Sequence, residues 1–357
     1  VKAGTTETPD FLKKSTIVER GQYKIGIVGS IGETLKSSIL KSCVDGYDFM
    51  KQADAINAEA AKLKEVDHCD VVVLTAHDDI DNLTSAGLKN VDAIFGGHAH
   101  IDKEAEISGI PAVQTQNYGK SIAHIRLGLD KDSKAVVSFT KELDSNPLGL
   151  AGIKADENVA KIMNSYRASI DDIKGIELGK CDETLVKDGA LKAICVESMY
   201  QGALKGIKDL GLDIKEEEIL ATFHNVNGGI RADIEAGKIT YDDIYNPFPF
   251  DNEIVLYKVS GSLFKQRAST YSAYATRRTF GELDEINKDA TYYLVLTDFI
   301  ALSKSYFGKT FNIEESDLIR TGKVVRDEVA NFVYQKGSIK ADDFNSYRDP
   351  YRAISIF

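Results

Sequence analysis

Three of the six histidines stand where a strand hands its side chains over to a loop. His77 follows the apolar run Asp70–Ala76 (DVVVLTA), and His98 and His100 follow Val91–Gly97 (VDAIFGG). Residues just past the C-terminal end of a buried strand line the crevice in which open α/β sheets bind ligands. Two glycines let the chain turn there with no Cβ in the way. An H-x-H pair on such a turn can aim two imidazoles at one point, and imidazole is a common ligand of divalent first-row metals. His77, His98 and His100 are therefore candidate metal ligands, against the alternative of solvated loop histidines. His68, His124 and His224 have no such context and default to structural roles.

A second constellation lies in Asn225–Phe250, NVNGGIRADIEAGKITYDDIYNPFPF. Asn227-Gly228-Gly229-Ile230-Arg231 places an arginine just after a glycine turn, suited to bidentate contact with a phosphate or carboxylate. Phe248 and Phe250 each adjoin a proline, on a stiff loop where a ring can stack on a base. The competing readings are a surface ion pair for Arg231 and core packing for the phenylalanines.

The elements that must position these groups follow from periodicity. After an extended polar lead-in over Val1–Gly21, short apolar runs predict strands at Tyr23–Gly29, Asp70–Thr75, Val91–Gly96, Ala112–Thr115, Ser121–Leu129 and Ala135–Leu143. Phe49, Ala53, Ile56, Ala60 and Leu63 recur at helical spacing and predict a helix over Asp48–Val66. Asn146–Gly152 (NPLGLAG) reads as a linker. A helix then follows over Asp156–Asp172, with Val159, Ile162, Met163 and Tyr166 on one stripe. In the remainder, helices are expected at Gly189–Leu210, Phe264–Arg277 and Gly322–Lys336, and strands at Ile219–Val226, Ile254–Ser260 and Tyr292–Thr297. Strands alternating with helices make both halves α/β.

Composition bounds the function. With 43% hydrophobic and 28% charged residues, the 357-residue chain is an ordinary globular one of two to three domains. No run approaches the ~18–20 apolar residues of a membrane helix. Forty-four basic against 55 acidic residues, net −11, argue against a nucleic-acid polymer as partner. One or two well-placed arginines still suffice for a small anion. Four cysteines without C-x-x-C spacing exclude a zinc ribbon or thioredoxin-type site. Buried free thiols are the default, although Cys181 and Cys195 could pair. There is no signal peptide and no initiator Met, so the chain reads as processed, truncated or cut from something longer.

Together, LTAH, GGHAH after VDAIF, and NGGIRADIEAGKITYDDIYNPFPFDN, with Gln116-Asn117-Tyr118-Gly119-Lys120 between, resemble the two-domain metallophosphoesterases of the 5′-nucleotidase family. The likeness runs from Tyr23 to about Tyr306, and the HDD after the strand (His77-Asp78-Asp79) is similar to bacterial surface members. It implies the C-terminal half of a metallophosphoesterase β-sandwich with flanking helices over residues 1–145. A linker and connecting helix would follow over 146–175, then an α/β substrate-binding domain over 176–357. It further implies His77, His98 and His100 as metal ligands, Asn227, Gly229 and Arg231 around the substrate with Arg231 on its phosphate, and Phe250 and Tyr306 on the two faces of the base.

The family's D-x-H, G-D and G-N-H-[DE] elements, which supply the bridging carboxylate and catalytic dyad, do not occur here, so no catalytic residue is assigned. In addition, Leu302-Ser303-Lys304-Ser305-Tyr306 stands in place of the family's G-G-D-[GS]-[FY], and Lys187 in place of an arginine. Three imidazoles without a bridging carboxylate hold at most one ion, whereas the complete protein would use two divalent ions (Zn, Mn, Mg, Ca or Fe). The resemblance thus implies an extracellular, surface or periplasmic hydrolase of nucleotide phosphate esters as the complete protein. This chain alone would be inactive, with a nucleotide or nucleoside as ligand and the family's N-terminal segment as partner. The alternatives are a catalytically dead nucleotide-binding module and an α/β interaction domain.

Overall fold

A computed structural model describes residues 1–39, 41–145, 154–225, 228–267, 274–303 and 306–345. The chain divides into two compact units, Val1–Lys154 and Ala155–Phe357. The expected linker Asn146–Gly152 lies outside the described residues, as does Asn227.

In the first unit six strands form one sheet: β1 (Ser15–Arg20), β2 (Tyr23–Ile31), β3 (Val71–His77), β4 (Ala93–Gly96), β5 (Lys103–Ile107) and β6 (Ile110–Gln114). Their order is β1-β2-β3-β4-β6-β5. The central four run parallel, while β1 and β5 pair antiparallel at the two edges. Parallel strands are buried on both faces, which is why β3 and β4 read as unbroken apolar runs; Val72, Leu74, Ile94, Ala112 and Val113 are wholly buried. The helix Gln52–Glu65 packs on β2 and β3 through Ile56, Ala60 and Leu63, spaced to share one helical face. Gly26 permits that approach, since a Cβ there would lie 2.9 Å from Leu63 Cδ1. An antiparallel ribbon of β7 (Ile122–Leu129) and β8 (Val136–Asp144) packs against β5 and β6 as the second layer. The lead-in expected over Val1–Gly21 contains β1, an edge strand with no fully buried residue and hence no apolar alternation to betray it.

The second unit opens with the helix Glu157–Lys174, whose N-cap Asp156 accepts from the N–H groups of Asn158 (2.9 Å) and Val159 (3.0 Å). Its stripe of Val159, Ile162, Met163 and Tyr166 is more than half exposed at every position. The strands are β9 (Glu177–Cys181), β10 (Ile219–Asn225), β11 (Gly237–Thr240), β12 (Glu253–Ser260), β13 (Tyr274–Arg278), β14 (Thr291–Thr297), β15 (Leu318–Val324) and β16 (Ser338–Ile339). Five form a sheet in the order β13-β10-β14-β12-β15, and β11-β9-β16 form a smaller one. Alternate residues of β12 face opposite cores. Ile254 and Leu256 join the layer containing the helices Ala190–Asp209 and Val325–Lys336, whereas Val255 and Tyr257 join Phe223, Phe264, Phe307 and Phe311.

Two helix expectations are corrected. Over Phe264–Arg277 the described helix is Gly261–Gln266, and Tyr274–Arg278 is the edge strand β13, paired with β10. Over Gly322–Lys336 the helix begins only at Val325, because Gly322 adopts φ +68°, which no right-handed helix accommodates, and lies within β15 instead. Cys69, Cys181 and Cys195 are buried thiols, Cys43 is exposed, and Cys181 and Cys195 are not bonded to each other.

The helix Ala190–Asp209 approaches its sheet through Gly202 and Gly206. A Cβ on Gly206 would lie 2.5 Å from Thr321 Cβ of β15. Gly206→Val should therefore destabilise the second unit by about 1–3 kcal/mol, read as a lower urea midpoint with unchanged slope. An unchanged midpoint contradicts the close approach.

Candidate functional site

The first unit's site is built at the C-terminal edge of its parallel strands. β3 ends at His77, and the next residue ties its loop to that of β4, since the Asp78 carbonyl accepts from the Gly97 N–H at 3.0 Å. The Asp78 carboxylate is buried and accepts from the Asp79 N–H and from Asn82 Nδ2, each at 2.8 Å. Gly96 is required by packing: a Cβ there would sit 2.3 Å from Ile80 Cγ2. Left-handed backbone falls on the histidines themselves, at φ 62° for His98 and 57° for His100. Such backbone is uncommon outside glycine and gathers at functional sites.

His98 Nδ1 lies 3.2 Å from His77 Nε2, with the ring centroids 5.0 Å apart and the planes at 74°. That separation suits an N–H···N hydrogen bond. It is equally what two bonds of ~2.1 Å to one ion give when they subtend roughly 100°, so the pair fits a shared divalent cation. His100 is exposed on the same turn. Among the described residues, no group of three or more His, Cys, Asp or Glu side chains could hold a metal ion. The structure thus joins two of the three expected ligands. Beside them Asp79 is half-buried. Burial pushes its carboxyl up, but Lys103, donating at 2.7 and 2.8 Å, holds it below the usual range.

In the second unit, β10 leads into the loop that carries Arg231. Gly228 takes φ +75°, and a Cβ on Gly229 would lie 2.3 Å from the Asn225 carbonyl oxygen, so only glycine fits. The Arg231 N–H donates to Pro247 O (2.9 Å), which joins this loop to the Asn246–Asp251 segment. The guanidinium carbon stands 5.8 Å from the centroid of the Phe250 ring, within cation–π range. Phe250 is 43% exposed, whereas Phe248 is buried edge-on against His224. Core packing thus holds for Phe248 and not for Phe250. Tyr306 packs edge-on against Tyr274 and tilted against Phe299, at the start of the helix Phe307–Phe311.

Sequence reasoning missed Arg326, on the helix Val325–Lys336. It donates through Nη2 to Asp251 Oδ1 (2.5 Å), through Nη1 to Phe248 O (3.4 Å) and through Nε to the Tyr241 hydroxyl (3.2 Å), with its guanidinium carbon 4.6 Å from the Tyr245 ring centroid. One buried charge therefore fixes the segment that presents Phe250. The available signal was its spacing with Val329 and Val333, which places Arg326 on the buried face.

Residues 215–280 match the family model "5′-nucleotidase, C-terminal domain". The chain is 25% identical over 385 residues to the endonuclease YhcR of Bacillus subtilis (strain 168), covering 95% of this chain and 30% of that protein. It is 24% identical over 292 residues to the 5′-nucleotidase of Bos taurus, covering 73% of this chain and 49% of the relative. The chain thus spans about half or less of these relatives. Its fold matches that of the 5′-nucleotidase precursor from Thermus thermophilus, with a TM-score of 0.67 at 16% identity over 92% of this chain and 73% of the other. Residues 215–280 are thus similar to the C-terminal domain of the 5′-nucleotidases, and the fold is that of a two-domain 5′-nucleotidase.

His224, wholly buried on β10, yields a pH prediction. Burial pushes its imidazole pKa down to about 4, with Nδ1 bonded to the Asn225 carbonyl. The unfolded value is about 6.5. Between those values the unfolded chain takes up a proton that the folded chain does not. Stability is therefore fully present above about pH 6.5 and falls by roughly 3 kcal/mol as pH drops towards 4. Urea unfolding across this window should show the loss, and His224→Gln should flatten that part of it. A slope unchanged by the substitution contradicts the assignment.

Proposed function

We propose that this chain is the metal-histidine and substrate-recognition portion of a metal-dependent hydrolase of nucleotide phosphate esters. The carrying observation is the 3.2 Å approach of His77 Nε2 to His98 Nδ1 at a parallel-sheet edge, on strained backbone held by buried hydrogen bonds. His77 and His98 would share one divalent ion, with His100 serving an adjacent one in the complete protein. Metal ions in such sites lower the pKa of a bound water and draw charge from phosphoryl oxygens. Arg231 holds the substrate phosphate. Asn227 and Gly229 complete the proposed substrate-binding set with Arg231. Phe250 stacks on one face of the base, and Tyr306 serves the other. The lack of D-x-H, G-D and G-N-H-[DE] elements supports binding without turnover by this chain alone, the N-terminal segment being its partner in catalysis. The family likeness supports an extracellular, surface or periplasmic location. No described helix is long and apolar enough to cross a membrane.

His98→Ala in the complete protein should reduce AMP hydrolysis to the buffer rate, while the 357-residue chain with AMP and Mn²⁺ or Zn²⁺ should release phosphate no faster than buffer. Metal-dependent release by the chain alone contradicts the division of labour. The pocket is tested separately by calorimetry. A base stacked on Phe250 contributes about 1–3 kcal/mol, and an arginine–phosphate contact about 1.5–3 kcal/mol. Phe250→Ala should weaken adenosine and AMP alike, and Arg231→Ala should weaken AMP more than adenosine. Unchanged affinities in both variants place the pocket elsewhere.

A further inference from the structure

Gln114 closes β6 and is the register partner of Gly96 in β4. Its side chain is 1% exposed, yet both ends of the amide are used. Oε1 accepts from the Ile80 N–H at 3.1 Å, three residues beyond His77. Nε2 donates to the Ile101 carbonyl at 3.2 Å, one residue beyond His100. A single buried amide thus ties the segment leaving β3 to the segment leaving the histidine turn. Glycine at 96 permits this, since a Cβ there would stand 3.2 Å from Gln114 Oε1 and 2.3 Å from Ile80 Cγ2. The Asp78 carbonyl also accepts from the Gly97 N–H, and Lys103 at the start of β5 donates to Asp79 and Asp81 beyond β3, so Gln114 is the buried member of a set of ties between the two segments. Glutamine suits the place chemically, because the site demands one acceptor and one donor at the reach of a γ-extended side chain, and a buried amide with either end unmet is costly.

We infer that Gln114 is a positioning residue that sets the spacing of His77 and His98, and with it the affinity of the pair for a divalent cation. The inference rests on the metal role proposed above for these histidines. Gln114 acts through the two backbone segments it clamps. Relaxing either would let one imidazole drift from the other, and partners of this indirect kind typically govern metal affinity by about 10–100-fold.

The probe is Co²⁺, titrated into the 357-residue chain and followed by its visible ligand-field absorption, with thermal unfolding measured in parallel. Gln114→Met keeps the length of the side chain and removes both hydrogen bonds. It should weaken cobalt binding by about 10–100-fold and alter the absorption envelope of what still binds. Gln114→Glu keeps the acceptor for Ile80 but sets an oxygen against the Ile101 carbonyl in a buried place, so it too should weaken cobalt binding relative to wild type. If Gln114→Met does not fold, Gln114→Glu decides by the same criterion. A purely structural role would lower the melting temperature while leaving cobalt affinity within about twofold of wild type, and that result overturns the inference alone. A wild-type chain that shows no cobalt-dependent absorption overturns the metal reading itself.

Discussion

The first unit's chemistry depends on one constraint, the parallel pairing of β2, β3, β4 and β6. Parallel strands end at the same edge, so side chains far apart in sequence are delivered to one crevice. His77 and His98 are 21 positions apart and meet at hydrogen-bond distance because β3 and β4 lie side by side in register. An antiparallel pairing of the same two strands would send them to opposite ends. The loops then need little length, and the hydrogen bonds of Asp78 and Gln114 suffice to fix them.

The second unit solves a different problem, presenting a cation and an aromatic ring from loops rather than strand ends. It does so by tying loops to each other and to a rigid helix. The Arg231 amide bonds to Pro247, and the buried Arg326 grips Asp251, the Phe248 carbonyl and Tyr241. Burying a guanidinium is unfavourable without such partners, and here all three of its bonds go to residues on or beside the segment carrying Phe250. Neighbouring residues then take opposite fates, with Phe248 in the core and Phe250 at the surface.

Much of this was legible in the sequence where both faces of an element are covered. Runs such as Val71–Leu74 and Tyr292–Thr297 can only be interior strands, and the ends of Gln52–Glu65 and Ala190–Asp209 fall within a few residues of the expected ones. The edge strands β1 and β5 escaped notice because they are short and mostly polar, with at most one buried residue each, whereas the buried start of β13 was read as the end of a helix. The H-x-H turn was legible as a strand-end turn whose glycines leave out a Cβ: Gly96 is needed for the approach of Ile80, while the left-handed backbone of the histidines carried no signal in the sequence. Gln114 and Arg326 act through long-range hydrogen bonds; local spacing could place Arg326 on a buried helix face but could not name the partners of either.

The central claim is that His77 and His98 form one half of a divalent-cation site. Crystals of the chain grown with Mn²⁺ and measured by anomalous diffraction test it most directly. The account predicts an anomalous peak bonded to both His77 Nε2 and His98 Nδ1, each at roughly 2.0–2.2 Å. An N–H···N hydrogen bond persisting between the two rings at saturating Mn²⁺, with the anomalous peaks elsewhere, would contradict it.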